Sequence, residues 1–109
     1  MGSIKGMPPE INVALIFSEE DYGCPISERL SEVLRRNLTK NDFANVAIRS
    51  GISFSTIRDV VYRTNSLTKS NAAAISLLMH AAFENSIAYK FRAEADLLFL
   101  GKTLEPYSE

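Results

Sequence analysis

The stretch from Phe43 to Tyr62 carries the one spacing in this sequence that points to a recognition chemistry. Phe43, Val46 and Ala47 give a short helix its inner face, Gly51 takes a turn, and Ile57, Val60 and Val61 point inward from a second helix. Two helices joined by a short glycine-containing turn form a helix-turn-helix unit. Each position has a mechanical reason. Ala47 is small because the second helix crosses above it, and Gly51 accepts the left-handed backbone that such a turn demands. Val46, Ile52, Ile57 and Val60 form the wedge that fixes the angle between the helices, so that the second can protrude into a groove.

The run Val46-Ala47, then Gly51-Ile52-Ser53, Ser55-Thr56-Ile57-Arg58 and Val60-Val61, resembles the helix-turn-helix of lac-repressor-type headpieces. It is also similar to the broader lambda-repressor/Cro-like DNA-binding domains of bacterial and phage regulators. The resemblance covers about residues 26–86 and leaves 1–20 and 90–109 outside it. It implies that the third helix, about 54–63, enters the major groove of double-stranded DNA with its first residues nearest the base edges. Phe54, Ser55, Arg58, Asp59 and Tyr62 are then the base-contacting candidates, with Arg58 against guanine O6/N7 and Phe54 against a thymine methyl. Ser53 and Thr56, at the start of that helix, would hold a phosphate, and Lys40, Arg49, Arg63 and Lys69 would make positioning contacts on others. Asp59 departs from a basic reading face: it either accepts from cytosine N4 or pairs with Arg63 one turn along. The effector-binding domain of full-length lac-type repressors has no room here, so sugar sensing does not follow.

Other chemistries find no constellation. His80, the single histidine, sits near the apolar stripe of a helix and reads as a core or boundary residue. Cys24 stands beside Pro25 with no second cysteine, which suggests neither a zinc site nor a Cys–His pair. The acidic cluster Glu19-Glu20-Asp21 belongs to a solvated turn. No phosphate-binding glycine loop, nucleophile elbow or metal-ligand spacing is present, so the chain is expected to be neither an enzyme nor dependent on a cofactor.

Helices must position these residues, and the expected fold is a mainly α small bundle. Ile26, Leu30, Val33, Leu34 and Leu38 make one stripe on a first helix, with Pro25 suited to its first position. Thr39-Lys40-Asn41-Asp42 fits a capping box that opens the second helix, and Ser53 is a good N-cap for the third. Thr68 or Ser70 opens a fourth, in which Ala72, Ile75, Leu78, Met79, Ala82 and Phe83 recur at helical spacing. With no Gly or Pro from Ile52 to Leu100, that helix either runs on or restarts near Ala88, before Gly101 stops it. The apolar run Ile11–Phe17 is a short strand or a short helix; its period does not decide. The expected division is an N-terminal extension 1–20, a DNA-binding domain 21–88 and a C-terminal helical extension and tail 89–109.

Composition tests this reading. The 109 residues hold 12 Lys and Arg against 13 Asp and Glu, a net charge of −1 that speaks against a nonspecific polyanion binder. The balance is uneven along the chain. Residues 1–25 and 93–109 each carry −3, whereas 26–92 hold ten basic and five acidic residues, a net of +5. The longest run without a charge, 70–83, is too short and polar to span a bilayer, and no signal peptide is evident, so a cytoplasmic protein is expected. One helix-turn-helix makes few contacts, and two-fold dimers are the usual solution. Leu97, Leu98, Phe99 and Leu100 are consecutive and one short helix cannot bury all four against its own domain, so they form a homodimer surface or else complete the monomer core. The expected function is sequence-specific double-stranded DNA binding, as a small transcriptional regulator. The alternatives are a protein-interaction adaptor on the same scaffold and a site-recognition subunit of a replication or packaging assembly.

Overall fold

Each of the first three helices begins where a short polar side chain replaces a missing backbone partner. The computed structural model describes residues 16–105, and within them the chain is mainly helical. A turn of 3-10 helix, Glu19–Asp21, precedes α1 (Glu28–Asn37), α2 (Lys40–Ser50), α3 (Phe54–Val61) and α4 (Ala72–Leu104). No strand occurs among the described residues. Most of Ile11–Phe17, and with it the choice between strand and helix there, lies outside them.

α1 starts later than Pro25 suggests. Ser27 is its N-cap and accepts the Leu30 N–H at 3.1 Å, while Ile26, still ahead of the helix, is buried. The capping box of α2 forms as read: Thr39 Oγ1 accepts the Asp42 N–H at 3.3 Å, and Asp42 Oδ2 accepts the Thr39 N–H at 2.8 Å. Asn71, rather than Thr68 or Ser70, stands at the N-cap position of α4 without a side-chain capping bond, and Thr68 and Asn71 exchange bonds in the turn before it.

Gly51 ends α2 with φ +77° and returns its N–H to the Ala47 carbonyl. A Cβ added there meets nothing within 4 Å, so only the backbone resists substitution. Gly51→Ala should therefore cost about 1–2 kcal/mol of stability, readable as a lower urea midpoint with an unchanged slope.

The core gathers one face from every helix. Leu34 of α1, Phe43 and Val46 of α2, Ile57, Val60 and Val61 of α3, and Ile75, Leu77, Leu78 and Ala82 of α4 form a single buried cluster with Leu67. Two polar ties seat the helices on it. Ser31 Oγ, buried within α1, donates to the Val61 carbonyl at 2.6 Å, one of the carbonyls that the end of α3 would leave unpaired. Asn85 Nδ2 of α4 donates to the Asn37 carbonyl at 2.8 Å and to Asp42 Oδ2 at 3.2 Å, which pins α4 to the α1–α2 junction.

Beyond Asn85 that helix leaves the core. It is one continuous helix of 33 residues, about 50 Å long, with no restart near Ala88. Gly101 does not stop it: the hydrogen-bonded ladder continues through to Leu104, since a glycine inside a helix weakens it without breaking it. Phe83, one of the residues that recur at helical spacing, is 65% exposed, and His80, expected in the core or at its boundary, is exposed.

Candidate nucleic-acid interface

The outer face of α3 is prepared by its two ends. At the start, Ser53 Oγ accepts the Thr56 N–H at 3.1 Å and donates to Thr56 Oγ1 at 2.8 Å, so both hydroxyls are ordered at the helix N-terminus. Ser53 and Ser55 are exposed and Thr56 is half-buried.

The other end differs from the sequence reading. Helix α3 stops at Val61, two residues short of the expected 63, because Arg63 takes the left-handed φ of +65°. Arg63 N–H returns to the Val60 carbonyl at 3.1 Å and Thr64 N–H to the Asp59 carbonyl at 2.9 Å, a Schellman closure with arginine where glycine is usual. Its guanidinium holds it there. Nε donates to the Ile26 carbonyl at 2.7 Å, and Nη1 lies 3.7 Å from Glu28. Arg63 is thus a strut between α3 and the start of α1. Arg63→Ala should destabilise the fold by about 1–2 kcal/mol, chiefly through the lost charged hydrogen bond, and thermal unfolding would register it. The half-exposed pair with Glu28 adds little.

Asp59 does not pair with Arg63. Its carboxylate lies 3.6 Å from the guanidinium of Arg58, its neighbour, because Arg63 is turned towards α1.

The structure brings four of the sequence-named residues together. Lys40, Phe54, Arg58 and Tyr62 line an open cleft of about 600 Å³, completed by Arg35, Leu38, Thr39 and Phe43. Its floor is aromatic: the Phe43 and Phe54 rings lie 5.8 Å apart, tilted by 43°. Phe54 is therefore anchored on one side while 38% exposed on the other. Three cations, Arg35, Lys40 and Arg58, stand around it. The remaining named residues are elsewhere. Arg49 is exposed in the last turn of α2, and Lys69, beyond α3, lies 3.1 Å from Glu19.

Arg35 is the cleft residue that the sequence reading did not single out. Its guanidinium lies 5.2 Å from the centre of the Tyr62 ring, a cation–π contact that joins the last turn of α1 to the end of α3. The available signal was its place off the apolar stripe of α1, which shows exposure but not direction. Among the described residues no group of three or more His, Cys, Asp or Glu could hold a metal ion, and no helix is long and apolar enough to cross a membrane. Comparison with protein-family models, curated proteins and solved structures finds no match to this chain.

Proposed function

We propose that this protein binds double-stranded DNA in a sequence-specific way, as a regulator or site-recognition protein, with α3 as the reading helix. The observation that carries the proposal is the cleft in which Phe54, Arg58 and Tyr62 of the α3 segment stand with Lys40 and Arg35. Cations beside exposed rings, next to a helix that begins with ordered hydroxyls, supply both kinds of contact such binding needs. Arg35, Lys40 and Arg49 suit phosphates, which position a protein, and Arg58, Ser55 and Phe54 suit base edges, which specify the site. The +5 balance of residues 26–92 favours the same partner, and the acidic ends restrain indiscriminate binding. Arg63 and Lys69, already engaged with α1 and with Glu19, take a smaller part than the sequence alone suggests. A homodimer, with Leu97 and Leu100 of the exposed 97–100 run in its surface, would double these contacts across a two-fold site.

Selection from a random duplex pool, followed by titration of the selected site at several salt concentrations, tests this. Neutralising the phosphates met by Arg35, Lys40 and Arg49 should give a slope of log K against log salt of roughly −3 per protomer. An enriched, pseudo-palindromic site is expected. A flat salt response, or no enrichment, would instead support an adaptor that binds protein through the same surface.

A further inference from the structure

The projecting half of α4 carries an apolar stripe with nothing in the described structure against it. Leu97 is 70% exposed, Leu100 52% and Leu104 65%. With Met79, Ala82, Ser86, Tyr89 and Ala93 they recur at steps of three or four residues, the spacing of one helix face, and the pattern of steps reads the same in both directions from Ala93 as far as Ala82 and Leu104. The first part of this seam is already a groove. Met79, Ala82, Phe83 and Ser86, together with Leu30, Val33 and Leu34 of α1, line an almost wholly apolar hollow of about 230 Å³. One face of one helix thus bears a socket near the core and leucines near its tip.

We propose that a second copy of this chain lies antiparallel along this face, with the two helices crossing at Ala93 and the leucines of each filling the groove of the other. The register follows from counting. Ser86 and Leu100 stand seven residues either side of Ala93, and Ala82 and Leu104 stand eleven. Reflection about Ala93 sets Leu100 of the second copy over Ser86 and its Leu104 over Ala82, at the mouth of the groove. Ala93 is small where the two backbones approach most closely. A second copy satisfies socket and leucines at once, and the isologous contact closes without leaving either exposed.

Charge complementarity supports the same direction. Lys90 and Glu94 border one edge of the stripe, and Arg92 and Asp96 the other. Antiparallel pairing sets Lys90 beside Glu94 of the second copy and Arg92 beside its Asp96. Each copy's Glu94 and Arg92 then also meet their own counterparts, but opposite-charge neighbours outnumber like ones; parallel pairing reverses that balance, with Lys90 beside Arg92 and Glu94 between Arg92 and Asp96. Phe91 and Leu98 lie on the opposite side of the helix and take no part. This deepens the self-association proposed above and does not depend on DNA.

The test uses the full chain without DNA, carrying Cys24→Ser to remove its single cysteine. Ser86→Cys together with Leu100→Cys should oxidise to a covalent dimer, and neither substitution alone should. Linking by Leu100→Cys alone would show parallel helices and overturn the proposal. Sedimentation separates the two faces of the helix. Leu100→Asp should weaken the dimer roughly tenfold or more, whereas Leu98→Asp should leave it intact. A parent chain that is monomeric well above micromolar concentration, with no cross-link, would also overturn it. A cross-linked dimer that binds no duplex would keep this pairing and remove the DNA reading instead.

Discussion

Ile57→Ala is expected to remove about 2–5 kcal/mol of folding stability, a large part of the ~5–15 kcal/mol typical of a single domain. Ile57 has no exposed surface and belongs to the cluster shared by all four α-helices, with Val46 of α2 and Leu78 of α4 among its members. Truncation loses the transfer energy of the buried methyl and methylene groups and leaves a cavity. The cavity has little chance to collapse, because Val60 and Val61 beside it are fully buried and the end of α3 is tied to Ser31 of α1. The measurable result is a urea midpoint shifted down at constant slope, with Ile57→Val giving about 0.5–1.5 kcal/mol in the same assay. A loss below about 1 kcal/mol for the alanine variant would mean that α3 is not packed as described. The consequence for function is orientation. Ile57 is the inward counterpart of Arg58, so a loosened Ile57 lets the outer face rotate out of the cleft.

Signals that act within one turn of chain were legible in the sequence. The Thr39–Asp42 capping box, the left-handed turn at Gly51, the Ser53 cap and the inward Ile57, Val60 and Val61 all appear where local chemistry places them. What escaped depends on residues distant in sequence. Arg63 looks like an outward cation until the Ile26 carbonyl, 37 residues earlier, is seen to hold it. Asp59 then pairs with Arg58. Arg35 points to Tyr62 because α1 ends beside the end of α3, a consequence of the core and not of either segment alone. Gly101 misled for a related reason. Glycine marks a helix end only when the chain must turn there, and no partner within the described chain requires α4 to turn.

The cleft also separates two cations that composition treats alike, and replacing each should have a different signature. Arg58→Ala should cost about 1–3 kcal/mol at the selected site, roughly five- to 150-fold in affinity, and should relax base choice at one position per half-site. Its present partner does not stand in the way. Arg58 and Asp59 form an exposed pair at 3.6 Å, and such pairs are worth at most about 1 kcal/mol, so the guanidinium can exchange the carboxylate for a guanine edge at little cost. Arg35→Ala should instead weaken selected and random duplexes about equally and make the salt slope shallower by about 1, because a cation held over the Tyr62 ring presents its charge to the backbone. The assay is one titration series, two duplexes and three salt concentrations for each variant. If Arg58→Ala weakens both duplexes equally, α3 positions and does not read. If Arg35→Ala changes base preference, the reading residue lies at the end of α1. Either result moves the reading surface within the same cleft, whereas no effect from both variants would remove that cleft from the interface.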